Sequence, residues 1–226
     1  MPFPTWASAV TATANTASRA VDIQSPANGD LVVVMVTAAT GNTVNPPAGW
    51  TQIYSLASSS AATWGGAWQR VCNGSEGATA SWTLGSAAQM GAISLKASAG
   101  TFTGTPEGAG FDGQFQNYRP PSVTPSWGAV DTTFVAVLHS VNWEPTTSGW
   151  PTNGDALYGN RVASSGFSAR VQLERANKTV TTEWPPEFVE PFSLNGVTGT
   201  IAVRGTSSAT TPFRAYGRYG VRGPVR

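Results

Sequence analysis

Hydrophobic and polar residues alternate along this chain with the short period of β-strands, and helical periodicity is scarce. Residues 17–23 alternate, whereas residues 31–37 form an apolar, mostly β-branched run that is typical of a strand buried on both faces. Gly or Pro interrupts almost every window in which a helix could form. Such evenly spaced short strands predict an all-β protein with a β-sandwich or jelly-roll fold. Further strands are predicted at 51–56, 64–71, 79–84, 90–97, 134–141, 156–162, 167–173, 179–184 and 197–203.

The landmarks of the first half recur in the same order 100 to 108 residues later. A repeat that keeps its strand-like runs while its loops vary in length indicates a duplicated architecture. We therefore predict a first β-sandwich half at residues 1–100, a second at 101–205 and an extended C-terminal arm at 206–226. The halves are either two small sandwiches or parts of one larger jelly roll. Residues 100–130, rich in Gly and Pro, are predicted to join them, with the first strand of the second half at 122–126. The echoed residues are Asp30 and Asp131, Trp50 and Trp150, Gln69 and Glu174, Trp82 and Trp184, and Ile93 and Ile201.

Charge is sparse for a protein of 226 residues. Charged side chains make up 11% of the chain, against roughly 25% in an average globular protein, and the formal net charge is +1. Such a chain lacks the positive field that nucleic-acid binding requires. Soluble monomers usually stay dispersed through surface charge, so this composition suggests that neighbouring subunits cover much of the surface. We expect a homo-oligomer in a symmetric assembly and no nucleic-acid partner.

Residue types also exclude several kinds of chemistry and location. Cys72 is the only cysteine, so we expect no intrachain disulfide and no thiol–metal cluster. The first residues show no charged n-region and no apolar h-region, so we expect no secretory signal and synthesis in the cytoplasm. Residues 31–36 form the longest apolar run, which is too short to span a bilayer. We expect no membrane insertion, no metal and no cofactor.

Candidate catalytic residues are few. His139 is the only histidine, and its place within an apolar strand favours a core or edge residue over a catalyst. Glu183, Glu187 and Glu190 lie near a tryptophan, and two carboxylates in such a setting could serve glycoside hydrolysis. The prolines around them instead favour a braced loop with solvated glutamates. The chain has no nucleophile elbow, P-loop or dinucleotide fingerprint, so we predict no catalytic residues and no enzymatic activity.

Nine tryptophans and five tyrosines give this weakly charged chain a high aromatic content. The tryptophans that belong to the repeat are interpreted as core residues. Trp64, Trp127 and Trp143 are less tied to the repeat, and we consider them candidate contacts for a ligand or partner, with core or interface packing as the alternative. Sugar-binding modules use exposed aromatic faces, so carbohydrate binding is one hypothesis for this chain.

The predicted C-terminal arm combines regularly spaced arginines with aromatic residues. The arginines recur every four residues, but the glycines and proline between them argue against a stable helix. Arginine offers bidentate pairing, and tyrosine offers contact area at a low entropy cost, so we predict an extended arm that binds a neighbouring subunit. A disordered terminus is the alternative. The arm residues are Phe213, Arg214, Tyr216, Arg218, Tyr219, Arg222 and Arg226.

Three motifs of the first half resemble those of a known group of proteins. They are Gly29-Asp30-Leu31-Val32-Val33, Pro47-Ala48-Gly49-Trp50-Thr51 and Val71-Cys72-Asn73-Gly74-Ser75-Glu76. In this order they resemble tailed-bacteriophage structural proteins, which carry a GDLLV strand, a PAGW turn and a GSE hairpin. The resemblance covers residues 20–100 well. It covers the second half more loosely, because only Ser148-Gly149-Trp150 remains of the turn motif.

The resemblance implies a non-enzymatic structural component of a phage virion, made in the host cytoplasm. A minor tail or tail-tip accessory protein is the first expectation, and a capsid decoration protein is the second. A carbohydrate-binding host-adsorption module is compatible with either place. The implied partners are other virion proteins and, for an adsorption module, a host surface glycan. The group has no catalytic residues to carry over.

Overall fold

The computed structural model describes residues 3–39, 43–59, 63–114, 117–142, 160–161, 168–185, 187–189 and 195–206. In these ranges every regular element is a β-strand, which confirms the all-β prediction. The strands are β1 (Trp6–Asp22), β2 (Asn28–Ala39), β3 (Val44–Asn45), β4 (Thr51–Ala57), β5 (Thr63–Asn73), β6 (Thr79–Ala97), β7 (Glu107–Gln114), β8 (Asn117–Tyr118), β9 (Val130–Asn142), β10 (Asn160–Arg161), β11 (Ser168–Val180), β12 (Phe188–Val189) and β13 (Asn195–Arg204).

The strands form two packed antiparallel sheets, as in a β-sandwich. The first sheet has the order β1-β6-β2-β5-β4, with β3 also paired to β6. The second has the order β7-β13-β9-β11-β10, and β8 and β12 form a separate two-stranded ribbon. Each sheet is therefore built from one half of the chain. The prediction of a strand at 122–126 is wrong, because β7 already starts at Glu107 and Val123 makes only an isolated bridge to Glu183.

The two sheets share not only their strand order but also their register. In their regular stretches, the pairings between neighbouring strands of the second sheet correspond to pairings in the first when each strand is shifted by a fixed number of residues, and the match ends at the register shifts of the first sheet. The sequence echo of Asp30 in Asp131 implies a shift of 101 residues between β2 and β9. The structure gives a shift of 102, because Val33 and Val135 are equivalent and both lie in the core between the sheets. A one-residue slip exchanges the two faces of a strand. The equivalent residues of the five strand pairs are Ser8 and Gly108, Val33 and Val135, Leu56 and Asn160, Gln69 and Arg175, and Leu95 and Ile201.

The core between the sheets is made by alternate side chains of strands from both halves. Val33 and Met35 of β2 belong to the same buried cluster as Val135 and Val137 of β9. Because this cluster joins residues of both halves, each sheet buries its inner face only against the other. The remaining buried members are Leu31, Tyr54, Ala67, Ile93, Leu95, Ala97, Val171, Leu173, Ile201 and Val203.

A flap made from strand extensions covers the outer face of each sheet. The register between the paired strands β1 and β6 shifts after Thr11 and again after Thr16, and such irregularities bend strands. Beyond these bends Trp82 packs into the outer cluster of the first sheet. The β8–β12 ribbon takes the corresponding place on the second sheet, where Phe188 packs against Ala136.

One long side of the sandwich, where edge strand β7 meets β4, is closed tightly. A Cβ atom at Gly110 would lie 2.7 Å from Leu56 Cδ1, and Gly108 makes a similarly close approach to β4. Glycine is therefore required at both positions. The equivalent residues of β1 are Ser8 and Val10, whose larger side chains lie at the opposite long side of the first sheet.

Candidate functional site

Two of the three sequence motifs are joined by Arg70 on β5. Its guanidinium donates a hydrogen bond to the Ala48 carbonyl oxygen at 3.1 Å and pairs with the Glu76 carboxylate at 2.9 Å. Glu76 also accepts hydrogen bonds from the backbone N–H groups of Asn73 and Gly74. Desolvation opposes ionisation of Glu76, but these backbone bonds and the Arg70 charge lower its pKa overall. The motif residues thus brace two neighbouring turns of the first sheet.

The third motif is fixed by Asp30 at the start of β2. Its carboxylate accepts hydrogen bonds from the backbone N–H groups of Ala27 and Ala99, each at 2.9 Å. It therefore ties the turn before β2 to the turn after β6. Gly29 has a φ of +86°, and a Cβ atom there would lie 3.2 Å from Ala99, so glycine suits this turn. All three motifs have structural roles in the first sheet.

The single histidine and the single cysteine are both buried. His139 lies on β9, with Nδ1 2.9 Å from the Thr37 hydroxyl and Nε2 2.9 Å from the Tyr54 hydroxyl. Burial lowers the pKa of His139 to about 3 and raises the pKa of the Cys72 thiol to about 11. At neutral pH the imidazole is therefore neutral and the thiol is protonated. The interpretation of His139 as a core residue is confirmed.

Of the glutamates considered for glycoside hydrolysis, the structure describes Glu183 and Glu187. Glu183 is buried, and its carboxylate pairs with Lys178 Nζ at 2.5 Å. Glu187 is half-buried, and Glu190 lies outside the described residues. Because its carboxylate is buried and paired with Lys178, Glu183 has a structural role in this region.

Glu174 is a buried acid that sequence reasoning did not single out as a site residue. It lies on β11 with 4% of its surface exposed, and neither carboxylate oxygen has a hydrogen-bond partner among the described residues. It lines a small depression together with Phe134, Lys178 and Pro185. Burial raises the pKa of Glu174 to about 7, against the opposing charge of Lys178. A glutamate beside an arginine in a strand is expected to face solvent, which is why its sequence position gave no signal.

The three tryptophans proposed as ligand or partner contacts have different surroundings. Trp64 is buried in the outer cluster of the first sheet and stacks on Trp68, with ring centroids 5.4 Å apart. It therefore has the core-packing role that was the alternative. Trp127 is partly buried, and its indole N–H donates to the Thr132 hydroxyl at 3.0 Å. Trp143 lies outside the described residues.

Trp184 is the exposed tryptophan of the described chain, with 60% of its surface accessible. The guanidinium carbon of Arg119 lies 3.8 Å from its ring centroid, in cation–π geometry. The interpretation of this repeated tryptophan as a core residue is wrong, although it is confirmed for the fully buried Trp82. The reason is local: Glu183 points inward from its bridge with Val123, so the next side chain points outward.

The outer edge of β1 is an open backbone edge in the described part of the chain. β1 pairs with β6 on one side only. Ala7 and Ser8 are exposed, and Val10 is 36% exposed. No charged residue occurs from Trp6 to Ser18. Because an edge strand carries unpaired N–H and C=O groups that charge or proline usually protects, this edge can accept a further strand.

The predicted arm residues, from Phe213 to Arg226, lie outside the described residues, so the arm stays a prediction. Within the described ranges, no three His, Cys, Asp or Glu side chains gather where they could hold a metal ion. No helix long and apolar enough to cross a membrane is found among the same residues. Comparisons with known protein families, known proteins and solved structures found no match.

Proposed function

We propose that this chain is a non-enzymatic structural component of a tailed-phage virion, placed in the minor tail or tail tip, that works by packing against neighbouring subunits. The open edge of β1 is the observation that carries this proposal. Natural monomers cover or charge such edges because an exposed strand recruits other strands. A long edge without charge is therefore suited to a chain whose working state is an assembly.

The sparse charge of the chain supports the same role. Charged residues make up 11% of the sequence, and several of those described are used in local bracing, as in the Arg70–Glu76 and Lys178–Glu183 pairs. Few charges then remain to keep separate copies apart. The phage part of the proposal depends on the resemblance of the three motifs to those of phage structural proteins. The motif residues brace turns of the first sheet, and residues with such a structural role suit a group of proteins that share a fold.

The non-enzymatic part of the proposal is supported by the state of the groups that could do chemistry. His139 is neutral and bonded on both ring nitrogens, and Cys72 is a protonated core thiol at neutral pH. Nucleophilic catalysis needs an activated nucleophile within reach of a base, and acid–base catalysis needs a group that titrates near the working pH. Glu174 does titrate there, but both of its oxygens are enclosed.

The proposal is tested by purifying phage particles from an infected host and quantifying this chain in them by mass spectrometry. We expect a fixed copy number that matches a tail ring. A copy number that matches the capsid lattice would instead favour a decoration protein. Absence from particles that are otherwise complete would contradict both placements.

A carbohydrate-binding adsorption module is the second candidate, and exposed Trp184 is the observation that favours it. Its indole and the Arg119 guanidinium together offer an apolar face beside hydrogen-bond donors, which is a usual combination for sugar recognition. We expect Trp184→Ala to weaken binding to host envelope glycans in a pull-down assay, whereas Phe111→Ala, at another exposed aromatic residue, leaves it unchanged. Equal binding by both variants would contradict this candidate.

A further inference from the structure

We infer that two copies of this chain join edge to edge, with residues 6–10 of β1 pairing antiparallel with the same residues of the second copy about a two-fold axis at Ser8. This inference rests on the proposed function and names the partner of its assembly surface. The joined copies would share one continuous sheet, formed by the two first sheets side by side. Each copy would contribute the same surface, as a two-fold contact requires.

The first residues of β1 form a regular stretch. From Trp6 opposite Ala97 to Thr11 opposite Ala92, β1 pairs with β6 without a register shift. The irregularities of β1 begin only after Thr11. A straight, regular edge presents its free N–H and C=O groups at the spacing that another strand needs, whereas bulges disrupt it. The edge is therefore best prepared for pairing at residues 6–11.

Charge selects the second copy as the occupant. In an antiparallel self-pairing, a charged residue near the two-fold axis lies close to the same residue of the other copy. The two like charges repel each other and oppose the contact. The first charged residue of β1 is Arg19, eleven residues beyond Ser8. Residues 6–10 therefore pair with their copies without electrostatic cost. An oppositely charged partner would find nothing here to select it.

Side-chain complementarity selects the register. In a two-fold contact centred on Ser8, Val10 of one copy stands opposite Trp6 of the other, and Ala7 stands opposite Ala9. Trp6 packs against the core between the sheets and Val10 is 36% exposed, and both side chains lie on the same face of β1. The contact would cover the exposed valine with a neighbouring indole, which is a favourable cross-strand pair.

The equivalent strand of the second sheet, β7, has different surroundings. Gly108 and Gly110 of β7, which correspond to Ser8 and Val10, are in close contact with β4 of the same copy. The duplicated fold thus packs the inner face of β7 against β4, whereas β1 has no strand on its outer side in the described part of the chain. Because the proposed contact joins the same edge of both copies about a two-fold axis, it gives a closed pair and not a fibre.

The inference is tested by disulfide trapping with the full chain. In Ser8→Cys the two introduced cysteines would face each other across the axis, with Cα atoms roughly 4.5–5.5 Å apart, which a disulfide can bridge. Ser18→Cys is the matched control, because it is exposed on the same strand but lies far from the axis. The native Cys72 is buried in both variants.

We expect Ser8→Cys to form a disulfide-linked dimer under mild oxidation on a non-reducing gel, and Ser18→Cys to stay monomeric. Equal crosslinking of the two variants, or none in either, overturns the proposed register. A second measurement does not depend on cysteine chemistry. In sedimentation velocity we expect Val10→Lys to shift the chain from dimer to monomer, whereas Val71→Lys, at an exposed valine of β5, stays dimeric.

The outcomes separate this inference from the proposed function. A wild-type chain that sediments as a monomer at all concentrations, yet is present in purified particles, overturns the self-pairing and leaves the virion role standing. A dimer that Val10→Lys dissociates, together with absence of the chain from particles, supports the self-pairing and overturns the virion role. Circular dichroism of each variant confirms that loss of the dimer is not loss of the fold.

Discussion

Trp68 in the first sheet and Glu174 in the second occupy equivalent positions, because β5 and β11 have the same register against their central strands. Both side chains are buried, at 1% and 4% exposure, and both point away from the core between the sheets. The tryptophan packs in an apolar cluster that includes Val34. The glutamate has no hydrogen-bond partner in the described part of the chain. One framework thus carries an apolar outer layer in the first half and one that mixes apolar and buried polar side chains in the second.

This difference shows which face of a duplicated sheet is free to change. The inner faces bury each other, so a substitution on one must suit the other. Even the polar contact between Thr37 and His139 joins equivalent positions of the two central strands. Each outer face packs only on its own flap and can change alone. On the second sheet a polar group is accommodated there by the backbone that follows β8, where the Thr200 hydroxyl donates to the Pro121 carbonyl oxygen at 2.6 Å.

The largest expected effect is at the apolar outer layer of the first sheet. Trp68→Ala removes a large side chain that is 1% exposed and stacks on Trp64. We expect it to lower the free energy of unfolding by about 3–5 kcal/mol, measured by urea denaturation. Trp184→Ala, at the exposed tryptophan, is the control, with an expected change within about 0.5 kcal/mol. Similar losses in the two variants would mean that this outer layer is not a closely packed core.

A smaller effect is expected at the shared inner face. Tyr54→Phe removes the hydroxyl that bonds His139 Nε2 and leaves a fully buried ring nitrogen without that partner. We expect a loss of about 1–3 kcal/mol in the free energy of unfolding, because an unsatisfied buried polar group carries its full desolvation cost. Thr124→Val, which removes an exposed hydroxyl bonded to Thr182, is the control and should be nearly neutral. An unchanged stability in Tyr54→Phe would show that the sheets do not depend on this polar bridge.

Much of the architecture could be predicted from the chain itself. The unbroken apolar run of β2 and the repeat of its landmarks correctly indicated an all-β duplicated framework. The exact correspondence could not be predicted from the sequence, because Asp30 and Asp131 look alike although the next residue, Leu31, is equivalent to Thr133 and not to Thr132. Similar residue types recur on both faces of a strand, and only backbone pairing fixes which face each one takes.

The candidate sites were harder to predict, because they depend on exposure. Trp184 shares its repeat pattern with the buried Trp82, and nothing in the sequence shows that it projects outward after Glu183. Glu174 shows the opposite difference, because a charged strand residue is expected to face solvent, whereas Glu174 is buried. The edge of β1 was also invisible, because strand order at the sheet margin is set by tertiary pairing.

The smallest expected effect is the pH dependence of stability that comes from Glu174, the buried carboxylate in the outer layer of the second sheet. The pKa of Glu174 is raised from 4.5 to about 7 by burial, so between these values the folded chain holds a proton that the unfolded chain has released. Stability therefore decreases as pH rises from about 4.5 to about 7 and levels off above that range. Other charged groups around the same depression are Arg175, Lys178 and Glu183.

Glu174→Gln keeps the shape of the side chain but cannot ionise, so we expect its melting temperature to fall less than that of the wild type across this pH range. The measurement is a series of thermal melts followed by circular dichroism. Gln69 is the sequence echo of Glu174, but the strand register makes it equivalent to Arg175. A substitution at Gln69 therefore does not test the same position in the first sheet. The matched control is Glu187→Gln, at a half-buried glutamate of the same region, which should retain the wild-type slope. If Glu174→Gln also retains that slope, the Glu174 carboxylate is solvated in solution. The second sheet would then have no buried carboxylate at the position where the first sheet has Trp68.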